Sequence, residues 1–199
     1  MNIQKKLQKI RNWYRENYES KSGFRFQSFM IAISLLYDRF ESPVILETGT
    51  IRLENDYGAG YSTYIFGDMI NRFGGELITV DISKENIDLC KTITSDFSKN
   101  ITYINDDSLE FLSTFNKKIN LLYLDSYDCP IEGDATASQN HNLQEFLLSE
   151  NNLDEKSIIL IDDVNFSNGG KAKLTHEYLS SHNYKKIYEL QQSVWSKFI

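Results

Sequence analysis

The sequence is poor in cysteine and proline. Of its 199 residues only two are Cys, at positions 90 and 129, and only two are Pro. Two thiols supply neither a disulfide framework nor a zinc cluster. The scarcity of proline and the absence of low-complexity runs or repeats argue against a flexible linker. We therefore expect a single domain over residues 1–199, with an N-terminal helical cap at 1–42 and a core at 43–199.

Long apolar runs and an excess of positive charge are also missing. No uncharged run is long enough to span a bilayer, and no apolar segment follows the basic residues at the N-terminus. We therefore expect a cytoplasmic protein with no membrane partner. The chain has 21 Lys and Arg against 28 Asp and Glu, a net charge of -7. A broad nucleic-acid surface needs clustered basic residues, so the expected partner is a small-molecule substrate and not a nucleic acid.

Two helices are predicted before residue 43. Residues 2–20 carry apolar side chains at helical spacing on one face, namely Ile3, Leu7, Ile10, Tyr14 and Tyr18. Contact with a membrane surface is conceivable, but packing on the same domain or on a second subunit is favoured, so a homodimer is a candidate. The second helix, "FRFQSFMIAISLLYDRF", ends just before Pro43.

From residue 44 onwards, short apolar runs alternate with helical segments. The runs are "VILETG", "ELITVDI", "ITYIND", "INLLYLDS" and "SIILIDD", and the helical segments are 61–73, 84–98, 107–116, 138–150 and 170–182. This alternation indicates a parallel sheet covered by helices on both faces. The tail "YKKIYELQQSVWSKFI" predicts an antiparallel hairpin. The predicted fold class is α/β, a Rossmann-like, mostly parallel sheet of seven strands with the hairpin at its C-terminal end.

Acidic residues follow every one of the five strands. They are Glu47, Asp81, Asp106, Asp107, Asp125, Asp162 and Asp163, and Gly49 accompanies the first. One such Asp is commonly a helix N-cap, but five strands delivering acid to one edge indicate a ligand site, since ligands of open α/β sheets bind at the carboxyl ends of the strands. So many carboxylates on one edge repel each other unless cationic or hydroxyl-rich ligands lie among them.

The stretch "VILETGTIRLENDYGAGYST" argues against a dinucleotide. Asp81 is placed to accept both hydroxyls of a ribose. The glycines at 58 and 60, however, follow a spacer and not the strand itself, so the tight phosphate turn is missing. Glu47 would also repel a pyrophosphate. A cofactor with an amine and a sulfonium, and no phosphate, fits this edge better.

With these features the sequence resembles class I S-adenosylmethionine-dependent methyltransferases, over about residues 44–199. "ILETGT…GAGYSTYIF" resembles the first motif of that family and "LITVDIS" the second. "NDDSLEFL" resembles the adenine-contacting segment, and "LLYLDSYD" and "IILIDDV" the fourth and fifth motifs. The long loop after "ETGTIR", with "ASQNHNL" and "IDDV…GGKAK", resembles a small bacterial branch related to natural-product O-methyltransferases.

The resemblance implies the cofactor S-adenosyl-L-methionine and a role for individual residues. Glu47 and Gly49 would hold its methionine end, Asp81 its ribose, and Asp107 with Ser108 its adenine.

The resemblance also implies an extended first-motif turn, the loop from Ile51 to Gly60. The extension leaves Gly58 and Gly60 in question as cofactor contacts. The charged loop residues either reach substrate or are solvated; they are Arg52, Glu54 and Asp56.

The expected reacting end lies after the fourth and fifth strands, which are expected to be neighbours about 4.8 Å apart. Asp125 is assigned to the cofactor site, to catalysis and, with Asp162 and Asp163, to a Mg²⁺ ion. Metal-dependent O-methyltransferases of the catechol type have Asp-Asn at the fifth strand and a Lys soon after the fourth-strand Asp. This chain has Asp-Asp and no such Lys, so metal-assisted and metal-free reactions both stay open.

His141, in "SQNHNL", is the candidate general base, because an unperturbed His pKa of about 6.5 suits that work. A capping or surface His is the alternative. The segment "NGGKAKL", with Lys171 at a helix start, is either an anion site or a plain loop entering a helix.

The expected function is S-adenosylmethionine-dependent methylation of a small-molecule hydroxyl. A DNA or RNA base methyltransferase is disfavoured by the acidic composition, and an NAD-dependent oxidoreductase by the missing phosphate turn. A non-catalytic cofactor-binding or assembly protein with the same fold stays open as the alternative.

Overall fold

A central sheet organises the protein in the computed structural model, which describes residues 3–57 and 61–198. Among these residues the strands are β1 (Val44–Thr48), β2 (Glu76–Asp81), β3 (Ile101–Asn105), β4 (Ile119–Leu124), β5 (Leu153–Ile161), β6 (Lys185–Glu189) and β7 (Ser193–Ser196). The α-helices are α1 (Ile3–Tyr18), α2 (Phe26–Arg39), α3 (Ser62–Phe73), α4 (Lys84–Ile93), α5 (Ser108–Thr114), α6 (Thr136–Ser149) and α7 (Lys173–Ser181). Short 3₁₀ turns occur at Gly23–Arg25, Ser95–Asn100 and Glu150–Asn152.

The strand order is β3-β2-β1-β4-β5-β7-β6. Strands β1 to β5 are parallel, and β7 is inserted antiparallel between β5 and β6. This is the predicted Rossmann-like fold with its C-terminal hairpin, and the prediction is confirmed. The order reverses between β1 and β4, so a ligand crevice is expected outside the carboxyl ends of these two strands.

Alternate residues of the central strands supply two separate cores. Leu121 and Tyr123 of β4 face a core shared with α1, α2 and α3. Leu122 and Leu124 face the opposite core, which contains residues of α5, α6 and α7. Helices therefore cover both faces, as the continuous apolar strands predict.

Helix α1 packs on its own domain. Its buried residues are Leu7, Ile10, Trp13, Tyr14 and Tyr18, and they join the core that also contains α2. Ile3, predicted on the buried face, is 45% exposed, because the buried stripe starts one turn later. The homodimer stays a prediction. Within residues 3–57 and 61–198, the helices are all too short or too polar to cross a membrane.

Candidate active site

A cavity of about 380 Å³ opens at the predicted crevice, in the size range of small-molecule sites. Five of the residues predicted to bind cofactor line it, and these are Gly49, Asp81, Asp107, Ser108 and Asp125. His141 also lies on its wall. The cavity therefore lies at the strand ends where the sequence predicts a ligand site, while the role of each lining residue stays a prediction.

Gly49 brings the backbone of β1 close to that of β4. Its φ is +84°, and a Cβ there would lie 2.8 Å from the carbonyl oxygen of Asp125. Both the left-handed conformation and the close approach require glycine. This packing shapes the floor of the cavity between the two strands.

The Asp81 carboxylate is held in place at the end of β2. Its Oδ1 accepts a hydrogen bond from the amide of Ser83 at 2.8 Å, and its Oδ2 accepts one from the amide of Thr50 at 3.2 Å. The Asn86 side chain adds contacts of 3.3 Å to both oxygens. Asp81 is thus a fixed acceptor on the cavity wall.

Glu47 lies apart from the cavity. Its fully buried carboxylate accepts hydrogen bonds from Ser62 and, at 2.7 Å, from Thr63, both at the start of α3. Burial raises the pKa of Glu47 to about 7, although these hydroxyls act in the opposite direction. The structure brings Gly49 to the cavity but not Glu47, whose contacts support an indirect role in holding the start of α3.

His141 belongs to a polar cluster beside the cavity. Its Nε2 lies 3.1 Å from Ser108 Oγ and 3.3 Å from the carboxylate of Glu145, one helical turn further along α6. Glu145 is fully buried and also accepts a hydrogen bond of 2.6 Å from Ser126. The hydrogen bond with Glu145 raises the pKa of His141, whereas burial lowers it.

Glu145 was missed at the sequence level, although the spacing of His141 and Glu145 places both on one face of a helix. The ring of Tyr127 lies 5.1 Å from that of His141. The two rings form one wall of the cavity next to Ser108.

The three predicted metal ligands cluster at the ends of β4 and β5, as expected. The Tyr123 hydroxyl bridges two of them, at 3.0 Å from Asp125 and 2.9 Å from Asp162. Asp125 is also shared with a second, small cavity of about 10 Å³, whose lining includes Phe29 and Tyr61. The carboxylate of Asp125 therefore stands between the large cavity and an aromatic recess.

Cationic side chains of the protein form ion pairs with the carboxylates of Asp125, Asp162 and Asp163. Arg25 Nε lies 3.0 and 2.8 Å from the two oxygens of Asp162, and Arg25 Nη2 lies 3.3 Å from Asp163. The ammonium of Lys171, which is 2% exposed, lies 3.0 Å from Asp125 and 3.5 Å from Asp163.

The two cations act unequally on the carboxyl groups. Burial and then the neighbouring Asp162 raise the pKa of Asp125 well above its usual value. Burial also favours the protonated form of Asp162, but the charges of Arg25 and Lys171 outweigh it and lower that pKa.

This arrangement does not fit the predicted magnesium site. Among residues 3–57 and 61–198, no group of three His, Cys, Asp or Glu side chains is arranged to hold a metal ion. Asp125, Asp162 and Asp163 do lie together, as the sequence predicts. Their cationic partners were missed: Arg25 comes from a distant part of the chain, and Lys171 from the loop after β5.

The segment "NGGKAKL" delivers Lys171 to this cluster. Gly170 has φ +64°, and a Cβ there would lie 2.0 Å from the carbonyl oxygen of Asp163. The amide of Gln139, from "ASQNHNL", donates to the carbonyl of Gly170 at 3.0 Å. Of the two interpretations, the loop entering a helix is right, since α7 begins at Lys173, whereas Lys171 pairs with carboxylates of the protein and not with an anion.

Of the described residues in the loop 51–60, one lies on the cavity wall. Arg52 lines it and pairs with exposed Asp128 at 2.7 Å, whereas Glu54 and Asp56 are not on the wall. The two loop glycines at 58 and 60 lie outside the described residues.

Comparisons with known proteins agree with this architecture. A family model described as "Methyltransferase domain" matches residues 56–164, more than half of the chain. No curated protein matches the sequence. The methyltransferase PaMTH1 of Podospora anserina, solved with bound SAH, is 14% identical with a TM-score of 0.63, over 98% of this chain and 88% of that one.

Two further solved structures differ in what they are described as acting on. A candidate caffeoyl-CoA O-methyltransferase from Staphylococcus aureus is 14% identical, with a TM-score of 0.56 over 86% of this chain and 79% of its own. An rRNA methylase from Streptococcus thermophilus is 11% identical, with a TM-score of 0.56 over 86% of this chain and 96% of its own. At these identities the likeness concerns the fold, and the family model carries the assignment. The chain belongs to the methyltransferase domain family.

Proposed function

We propose that this protein transfers a methyl group from S-adenosyl-L-methionine to a hydroxyl of a small molecule. The cavity at the strand-order reversal carries the proposal, because it joins a fixed acceptor, Asp81, to a partly buried carboxylate, Asp125. Membership of the methyltransferase family supports the reaction class. The net charge of -7 favours a small acceptor over RNA, which is the substrate named for one of the structural neighbours.

The residues of the cavity suit the parts of this cofactor. Asp81 would accept hydrogen bonds from the ribose hydroxyls, and Asp107 with Ser108 would border the adenine. The backbone at Gly49 would pass close to the methionine end. When bound, the cofactor supplies an electrophilic methyl group on a sulfonium.

We assign Asp125 as the general base that accepts the proton of the acceptor hydroxyl. Its carboxylate lines the large cavity, so an acceptor bound there beside the cofactor meets this group. Burial and the neighbouring Asp162 raise the pKa of Asp125, which makes it a better proton acceptor than an exposed Asp. His141 contacts Ser108, at the proposed adenine end, so we assign it to cofactor binding and not to proton transfer.

A screen of radiolabelled methyl transfer to phenols, catechols and sugar hydroxyls tests the proposal. Asp125→Asn should lower kcat by about 10²- to 10⁴-fold, the usual contribution of a positioned base, with cofactor affinity nearly unchanged. His141→Gln should weaken cofactor binding more than it lowers kcat. The control is Asp134→Asn, an exposed position whose amide analogue still caps the amide of Thr136.

The screen also separates the alternative. Cofactor binding without transfer to any acceptor would favour a non-catalytic cofactor-binding protein. A kcat in Asp125→Asn equal to that of the wild type would contradict the assigned base.

A further inference from the structure

We propose that the ammonium of Lys171 occupies the position that a divalent metal would otherwise take among the carboxylates of Asp125, Asp162 and Asp163. This site therefore works without a metal. Three oxygen atoms surround the Lys171 ammonium. They are Asp125 Oδ1 at 3.0 Å, the carbonyl of Ser126 at 3.3 Å and Asp163 Oδ2 at 3.5 Å. An ammonium has three N–H donors, so one buried Lys faces the same kind of oxygen shell that a hard cation requires.

The charge of the cluster supports this reading. Three carboxylates face two cations, since Arg25 pairs with Asp162 and Asp163 while Lys171 pairs with Asp125 and Asp163. If all five groups are charged, the sum is minus one. A divalent ion added to these groups would give an excess of positive charge and lie close to a buried ammonium, which is electrostatically unfavourable.

The backbone fixes Lys171 in this position. The Lys171 amide donates to the carbonyl of Asp163 at 3.1 Å, and Gly170 lies so close to the backbone of Asp163 and Val164 that no side chain fits there. The Gln139 side-chain amide donates hydrogen bonds to the carbonyls of Asn168 and Gly170, at 3.2 and 3.0 Å. The ammonium is therefore built into the site.

Lys171 acts as a positioning residue in this account. It is 2% exposed and does not line either cavity, whereas its partner Asp125 lines both. The ion pair would hold the Asp125 carboxylate toward the acceptor. This role in turnover rests on the proposed function, but the exclusion of metal from the cluster does not.

Metal titration of wild type and Lys171→Ala tests the inference without a cofactor or an acceptor. Calorimetry with Mn²⁺ and Mg²⁺ should show no binding by wild type at the cluster, and EDTA should leave its Tm unchanged. In Lys171→Ala the carboxylates lose their ammonium, so about 10 mM Mg²⁺ should raise its Tm by about 2–4 °C. Lys173→Ala, which removes an exposed Lys two residues further on, should behave as wild type.

Each outcome bears on the inference. Adding Asp125→Asn to Lys171→Ala should abolish the gain, because it removes a ligand. Wild-type metal binding that is lost in Asp125→Asn would overturn the inference, as would a folded Lys171→Ala with no metal response. If Lys171→Ala does not fold, the wild-type titration decides alone, and failure of S-adenosylmethionine binding would affect the proposed function only.

Discussion

Replacing Glu47 by Gln should change how stability depends on pH. Glu47 is fully buried, and burial raises its pKa from 4.5 to about 7. Between these values the unfolded chain has lost the proton that the folded protein keeps. The free energy of unfolding therefore falls as pH rises through this window and levels off above the folded-state pKa.

The size of this effect follows from the two pKa values. Each pKa unit corresponds to about 1.4 kcal/mol, so between about pH 5 and pH 8 ionisation of Glu47 should cost the wild type about 2.5 kcal/mol. Gln carries no proton to lose, and its amide can still bond to the hydroxyls of Ser62 and Thr63. The Glu47→Gln protein should therefore gain about 2.5 kcal/mol relative to wild type over this range.

Urea unfolding at four pH values from about 5 to 8 measures this difference. Glu132→Gln is the control, because it removes a carboxylate from an exposed loop, and its difference from wild type should stay flat with pH. A difference between Glu47→Gln and wild type that does not change with pH would refute the assigned environment of Glu47.

Two further predictions concern Gly170, next to Lys171, and His176, next to the core that contains residues of α5, α6 and α7. Gly170→Ala should destabilise the protein by about 2 kcal/mol or more in urea unfolding, since its Cβ would lie 2.0 Å from the carbonyl of Asp163 at a positive φ; an unchanged unfolding midpoint would contradict the packing. His176 lies against Trp195, and burial lowers its pKa to about 4, so stability should fall as pH decreases from about 6.5 to 4. His176→Gln should flatten that decline in thermal melts, and an equally steep decline would show that His176 is not its source.

The fold could be predicted because its signals are local. Each of the five parallel strands contains a short apolar run with an acid at or just after its end, and the helices between them follow from periodicity. The insertion of β7 between β5 and β6 fits the predicted hairpin, although its pairing partner is not visible in the tail itself. Five of the predicted cofactor ligands line the cavity. Their common location could be predicted because the carboxyl ends of parallel strands lie at one edge of the sheet.

The partners of the acids could not be predicted, because their contacts depend on the tertiary fold. Arg25 precedes Asp162 by 137 positions, and no spacing rule connects them. Lys171 is close in sequence to Asp163, but its direction depends on the turn at Gly170. Glu47 differs again: its motif suggests a ligand contact, whereas Ser62 and Thr63 take up its carboxylate.

S-adenosylmethionine binding by wild type and Asp81→Ala tests whether this cavity holds the cofactor. Calorimetry should show binding by wild type and a loss of about 10- to 100-fold in Asp81→Ala, because one or two hydrogen bonds to a charged acceptor disappear. Addition of Mg²⁺ should change neither result. No binding by the wild type, or equal affinity in Asp81→Ala, would contradict the assignment of this cavity to the cofactor.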